Sequence, residues 1–93
     1  MVAHVFISGF VHGVGFRQHI KSKAKSLDLT GWIRNLPDGR VEAVFSGEKD
    51  KIEDAVSECS QGPFFSEVKG VEVEWLEDGE KFTDFQILHQ SPL

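Results

Sequence analysis

Residues 9–17, Gly9-Phe10-Val11-His12-Gly13-Val14-Gly15-Phe16-Arg17, gather three glycines, one histidine and one arginine in a single short string. A string of this kind can grip an anion. Glycine permits backbone conformations that turn successive N–H groups inward, and such groups form a concave nest for negative charge. If a helix follows, its first-turn amides are unpaired and carry about half a positive charge, which suits phosphate. Arg17 adds a planar cation that can hold two phosphate oxygens at once. The common phosphate loops do not match, because neither GxxxxGK[ST] nor GxGxxG occurs. Taken alone, the string fits a tight strand-to-helix connection as well as it fits an anion site.

The elements that would hold this loop follow from periodicity. Residues 2–9 are apolar and alternate weakly, with Ala3, Val5 and Ile7 on one face of a first strand. From 16 to 27 the period becomes helical, and Phe16, Ile20, Ala24 and Leu27 make the stripe. Residues 30–36 are rich in β-branched and aromatic side chains and predict a second strand. Pro37-Asp38-Gly39 is a turn, and residues 40–45 return as the partner strand of a hairpin. A second helix starts after Ser46-Gly47, buries Ile52, Ala55, Val56 and Cys59, and stops at Gln61-Gly62-Pro63. Val71, Val73 and Trp75 alternate with Glu72 and Glu74 in a fourth strand, and Phe85-Gln86-Ile87-Leu88 can add a short fifth. The order β-α-β-β-α-β predicts an α+β fold, the ferredoxin-like split βαβ sandwich, with two helices on one face of an antiparallel sheet. That fold serves binding modules and enzymes alike.

Composition narrows the function. At 93 residues the chain reads as one domain, 1–93, able to bury about 60–70% of its unfolded surface. A hydrophobic share of 40% with 27% charged residues is that of a soluble globular protein. The net charge of -5 argues against nucleic acid. It is unevenly spread: residues 1–41 carry six basic side chains against two acids, and 42–93 carry four against thirteen. An anionic small ligand, if the chain takes one, is to be sought in the first half; the alternative is that the acids simply keep the second half soluble. The single cysteine, Cys59, excludes an internal disulfide framework and points to a reducing, cytoplasmic setting. The first residues show neither a basic leader nor a long apolar run, so no signal peptide or membrane contact is expected.

The whole loop string resembles the acylphosphatase signature, in which G-x-V-Q-G-V-x-F-R opens the first helix. Leu29-Thr30-Gly31-Trp32-Ile33-Arg34-Asn35-Leu36-Pro37-Asp38-Gly39 resembles the second block of that family, at the right distance, and Phe85-Gln86-Ile87 resembles its last strand. The resemblance implies hydrolysis of an acyl phosphate to a carboxylate and inorganic phosphate. By it, Arg17 is the phosphate-binding catalytic arginine and Asn35 positions the attacking water. The backbone amides of His12, Gly13, Val14, Gly15, Phe16 and Arg17 are the phosphate cradle. It further implies a small-molecule acyl phosphate as partner, inorganic phosphate as product and competitive inhibitor, and no metal or organic cofactor; a monomer is expected, though the sequence leaves the oligomeric state open. The chemistry is coherent. The leaving carboxylate has a solution pKa near ~4, so a dedicated general acid is dispensable. A loose phosphoryl-transfer transition state asks mainly for positioning and charge stabilisation. An amide such as Asn35 has no useful pKa near neutrality, but its carbonyl oxygen can accept from water and fix a line of attack.

Three positions depart from the usual family pattern: His12 stands where Gln is common, Phe10 where a basic residue is frequent, and Asp28 where Gly often follows the first helix. The His12 amide survives the change, and its side chain is expected to face solvent. Asp28 fits less well than Gly if its site is left-handed. Cys59 reads as core, and Glu67, Glu72 and Glu74 as a solvated face or edge. Phe64 and Phe65 read as lid or core packing. His4, His19 and His89 are too scattered to suggest a metal set. Two other classes stay in view. One is a non-catalytic phosphate- or carbamoyl-phosphate-binding module of the same fold, since such domains also occur inside larger proteins. The other is a ferredoxin-like nucleic-acid or metal-binding domain, which the lack of C-x-x-C and of an RNP-type aromatic motif disfavours.

Overall fold

The computed structural model describes residues 1–77, 79 and 81–89. Its elements run β1 (Val2–Phe10), α1 (Phe16–Ser26), β2 (Thr30–Asn35), β3 (Val41–Ser46), α2 (Lys49–Gln61), β4 (Glu67–Leu76) and β5 (Phe85–Leu88). They form one sheet in the order β4-β1-β3-β2-β5. The α+β, ferredoxin-like arrangement expected from periodicity is thus present, short fifth strand included. The sheet is antiparallel through its first four strands, but β5 pairs parallel with β2, so the sheet is mixed. The reason is directional. β4 runs opposite to β1 and finishes at the far end of the sheet, and β5 starts from that end on the opposite edge.

Alternation puts the core on one side. Ala3, Val5 and Ile7 sit opposite Phe45, Ala43 and Val41, and all six are buried. Ile33 and Phe85 extend the same face, where Phe85 stacks on Phe45 with ring centroids 5.4 Å apart. Onto this face fall Phe16, Ile20 and Ala24 of α1, and Ile52, Ala55 and Cys59 of α2. Each fully buried Phe or Ile contributes about 1.5–3 kcal/mol by leaving water. Val56, counted in the stripe from sequence, is only partly buried. The two helices are tied at their site-facing ends by His19 Nε2 and Glu58 Oε2, 2.6 Å apart. Burial pushes the Cys59 thiol up to about 12, aided by the Glu58 charge, so the cysteine is an inert core group.

The opposite sheet face mixes polar side chains with partly buried apolar ones such as Phe6, Trp32 and Val44, and Glu42 is its only buried charged residue among those described. Its carboxylate accepts from Arg34 Nε at 2.7 Å and pairs with His4 Nε2 at 2.6 Å. Desolvation raises the Glu42 pKa, but the His4 and Arg34 hydrogen bonds outweigh it and hold the carboxyl below its ordinary value. Glu67, Glu72 and Glu74 are exposed, as a solvated face requires. Phe64 and Phe65 are 90% and 73% exposed, so neither packs into the core.

The end of α1 bears out the doubt over Asp28. Its φ is 58°, the one left-handed non-glycine among the described residues. Leu29 N–H donates to Ala24 O and Asp28 N–H to Lys25 O, a Schellman closure with Leu29 and Ala24 both buried. Asp tolerates this conformation less well than Gly. Replacing Asp28 with Gly is expected to raise stability by about 0.5 kcal/mol, or roughly 2–4 °C in Tm for a chain of this size. Thermal melting checks it, and a lowered Tm would mean that the Asp28 side chain makes a stabilising contact of its own.

Candidate active site

The loop between β1 and α1 departs from regular strand geometry before the strand ends. The β1–β4 register shifts between Ser8 and Gly9, and a Cβ at Gly9 would collide with the Glu67 carbonyl. Such an irregularity re-aims the chain beside a site. Gly13 and Gly15 then take φ of 72° and 76°, where other residues are strained, and a Cβ on either would meet open space. Backbone conformation, not crowding, therefore selects glycine at both positions.

Gly15 caps α1 with no side-chain hydrogen bond, and the first turn of α1 holds no acidic residue. The first intrahelical bond runs from His19 N–H to Gly15 O. The amides ahead of it are left for an external acceptor. By contrast, the first turn of α2 carries Asp50, which already answers the positive end of that helix.

Gly13, Gly15, Phe16 and Arg17 line one cavity of about 220 Å³, with Val11 at its floor. Arg17 is half-buried and makes no hydrogen bond or ion pair among the described residues. The other arginines do: Arg34 is bound to Glu42 and Arg40 to Asp38. A guanidinium at a cavity wall with no partner among the described residues has its donors open to an anion.

Asn35 reaches this end of the molecule through the sheet. β1 and β2 both run antiparallel to β3, so their last residues lie at the same end. Asn35 faces Val41, which faces Ile7, so its side chain shares the helix-covered face. Its Oδ1 is buried and accepts no hydrogen bond from the protein. An orphaned buried acceptor is uncommon enough in a native fold to need an explanation. The turn after it is closed by other groups: Leu36 N–H donates to Arg40 O, and Gly39 N–H to Leu36 O. Asn35 is thus not required to hold that turn.

His12 differs from expectation. Its side chain is not directed to solvent; Nε2 lies 2.9 Å from Arg40 O, so Nε2 must carry the proton and donate. The bond fastens the loop to the β2–β3 hairpin that carries Asn35. Gln at position 12 can offer an N–H donor as well, whereas Ala cannot. His12→Gln is expected to keep activity within about threefold. His12→Ala should lose one neutral hydrogen bond of about 1 kcal/mol, or roughly five- to tenfold in kcat/KM. Steady-state kinetics of both variants check the pair, and equal losses would show that the side-chain donor is unimportant.

Of the residues singled out from sequence, the cavity collects Gly13, Gly15, Phe16 and Arg17, while His12 and Val14 stay in the loop outside its lining. Asn35 stands at the same end, also outside the lining. Gln18, Ile87 and His89 line the cavity and were not foreseen. Among the described residues, no three His, Cys, Asp or Glu side chains gather as a metal site, and no helix is long and apolar enough to cross a membrane.

Comparison with known proteins decides the family. The acylphosphatase family model matches residues 3–87. The chain belongs to the acylphosphatase family. An acylphosphatase of Nostoc sp. is 52% identical over 85 residues, covering 91% of this chain and 83% of that protein. The structure of an acylphosphatase from Coxiella burnetii superposes with a TM-score of 0.89 at 39% identity, covering 94% of this chain and 90% of that one. The Bacillus subtilis acylphosphatase gives 0.90 at 31% identity, covering 95% and 99%. Acylphosphatase activity, hydrolysis of the carboxyl–phosphate bond of an acyl phosphate, follows from identity at this level over nearly the full length of both partners. The same coverage tells against a non-catalytic binding module.

Proposed function

We propose that this acylphosphatase grips the phosphoryl group of its substrate with the backbone amides of residues 12–17 and the Arg17 guanidinium, while Asn35 orients the attacking water. The observation that carries the reading is the shared cavity: it joins an arginine with no partner among the described residues to two left-handed glycines at the start of a helix with no acid in its first turn. The orphaned Asn35 Oδ1 supports the second half, because a water held there has its acceptor fixed. The water oxygen bonds to phosphorus as the bond to the carboxyl oxygen breaks. The electron pair leaves with the carboxylate, and the water's proton ends on the phosphate. Arg17 and the amides meet the charge on the equatorial oxygens, which is where a loose transition state keeps it.

Inorganic phosphate then competes for the same cradle as product and inhibitor. The chain works as one domain and as a monomer in the cytoplasm, a setting consistent with its one buried thiol. The test is a hydrolysis panel of benzoyl, acetyl and carbamoyl phosphate beside p-nitrophenyl phosphate, each with and without EDTA. Turnover confined to the acyl compounds and indifferent to EDTA is expected. Equal turnover of p-nitrophenyl phosphate would mean a general phosphatase site, and strong loss with EDTA would mean a metal in the reaction.

A further inference from the structure

The cavity at the cradle reaches beyond the groups assigned to phosphate. From Arg17 it continues to Gln18 on the first turn of α1, then across to Ile87 and His89 at the end of β5. A second hollow of about 450 Å³ shares those three residues, Gln18, Ile87 and His89, and extends to Lys21 of α1, to Asp84, and to Phe85 and Gln86 of β5. The first hollow alone has the volume of about seven liquid-water molecules, so a phosphoryl group fills only part of it. Asn35 lines neither hollow.

The geometry points to this channel between α1 and β5 as the seat of the acyl portion of the substrate, with Gln18 and His89 as its specificity-determining residues. The occupant follows from the lining. Ile87, half-buried, is the apolar side chain that this hollow offers for contact, with Val11 and Phe16 buried behind the surface, and polar groups beside an apolar contact fix orientation. Gln18 and His89 are both exposed, and neither makes a hydrogen bond or ion pair among the described residues. Each can donate an N–H to the acyl carbonyl or to the carboxylate oxygen as it departs. An acetyl group has little surface to set against Ile87, whereas an aromatic or longer acyl group can cover it. Position 89 arrives there through the parallel pairing of Arg34 with Leu88, which brings β5 out at the site end of the sheet.

The inference rests on the proposed seating of the phosphoryl group by Arg17 and the loop amides. Its test compares benzoyl and acetyl phosphate in the Gln18→Ala/His89→Ala double variant. We expect kcat/KM for benzoyl phosphate to fall about tenfold, chiefly through KM, and that for acetyl phosphate by less than threefold. Inhibition by inorganic phosphate should persist. A Gln18→Trp variant, which fills the channel from a solvent-facing position, should shift the ratio the same way. An unchanged benzoyl-to-acetyl ratio in variants still inhibited by phosphate would overturn the acyl channel alone. Full activity in Arg17→Ala would overturn the phosphoryl seating, and the channel with it.

Discussion

Arg17→Ala is expected to lower kcat/KM for benzoyl phosphate by about 10²–10³-fold, the scale typical of a lost transition-state donor. Both parameters should suffer. Substrate and transition state each present anionic oxygens to the guanidinium, so KM rises, while charge developing in the transition state makes kcat fall as well. Inhibition by inorganic phosphate should weaken alongside. Stability is the discriminating control. Arg17 makes no hydrogen bond or ion pair among the described residues, so its removal costs the fold only the packing of its half-buried stem. The melting temperature should therefore hold while activity collapses. Arg17→Lys keeps a charge but loses the planar fork, and should recover only part of the rate. Wild-type hydrolysis by Arg17→Ala would place the phosphoryl group elsewhere. A lost rate accompanied by a much lower Tm would instead make the arginine structural.

How far the sequence carried the reading depended on whether a feature is local. The stripe Phe16, Ile20, Ala24 repeats at helical spacing, and the alternation Ala3, Val5, Ile7 at strand spacing; both are fixed by neighbours along the chain and both are found buried. Asp28 was legible for the same reason, because a helix end needs a left-handed residue at one predictable place. The direction of β5 was not legible. Four residues with one buried Phe carry no information about which edge they join or which way they run. His89 was missed with it, since only the β2–β5 register brings the end of that strand to the cavity. His12 shows a third case. Its bond to Arg40 O spans 28 residues, and no local pattern announces a contact between a loop and a hairpin. The conformation of the loop was legible because glycine, helix start and arginine lie within one string, so chemistry and local conformation point the same way.

Asn35→Ala separates positioning from binding. Its buried Oδ1 takes no hydrogen bond from the protein, so loss of that oxygen removes no accepted bond and should change stability by no more than about 1 kcal/mol. The cradle amides and Arg17 remain, so inorganic phosphate should inhibit nearly as before and KM should change little. What disappears is the acceptor that lines up the water. A displacement of about 1 Å in a reacting group can cost on the order of 10²-fold, and kcat is expected to fall by about that factor. Asn35→Asp sharpens the test. It keeps an acceptor of the same reach but sets a negative charge at the phosphoryl end, where repulsion should raise KM and weaken phosphate inhibition. The pair of variants therefore moves different parameters: Ala lowers kcat with binding preserved, and Asp weakens binding with the acceptor preserved. If Ala instead abolished phosphate inhibition with kcat intact, Asn35 would belong to the gripping groups and some other residue would hold the water.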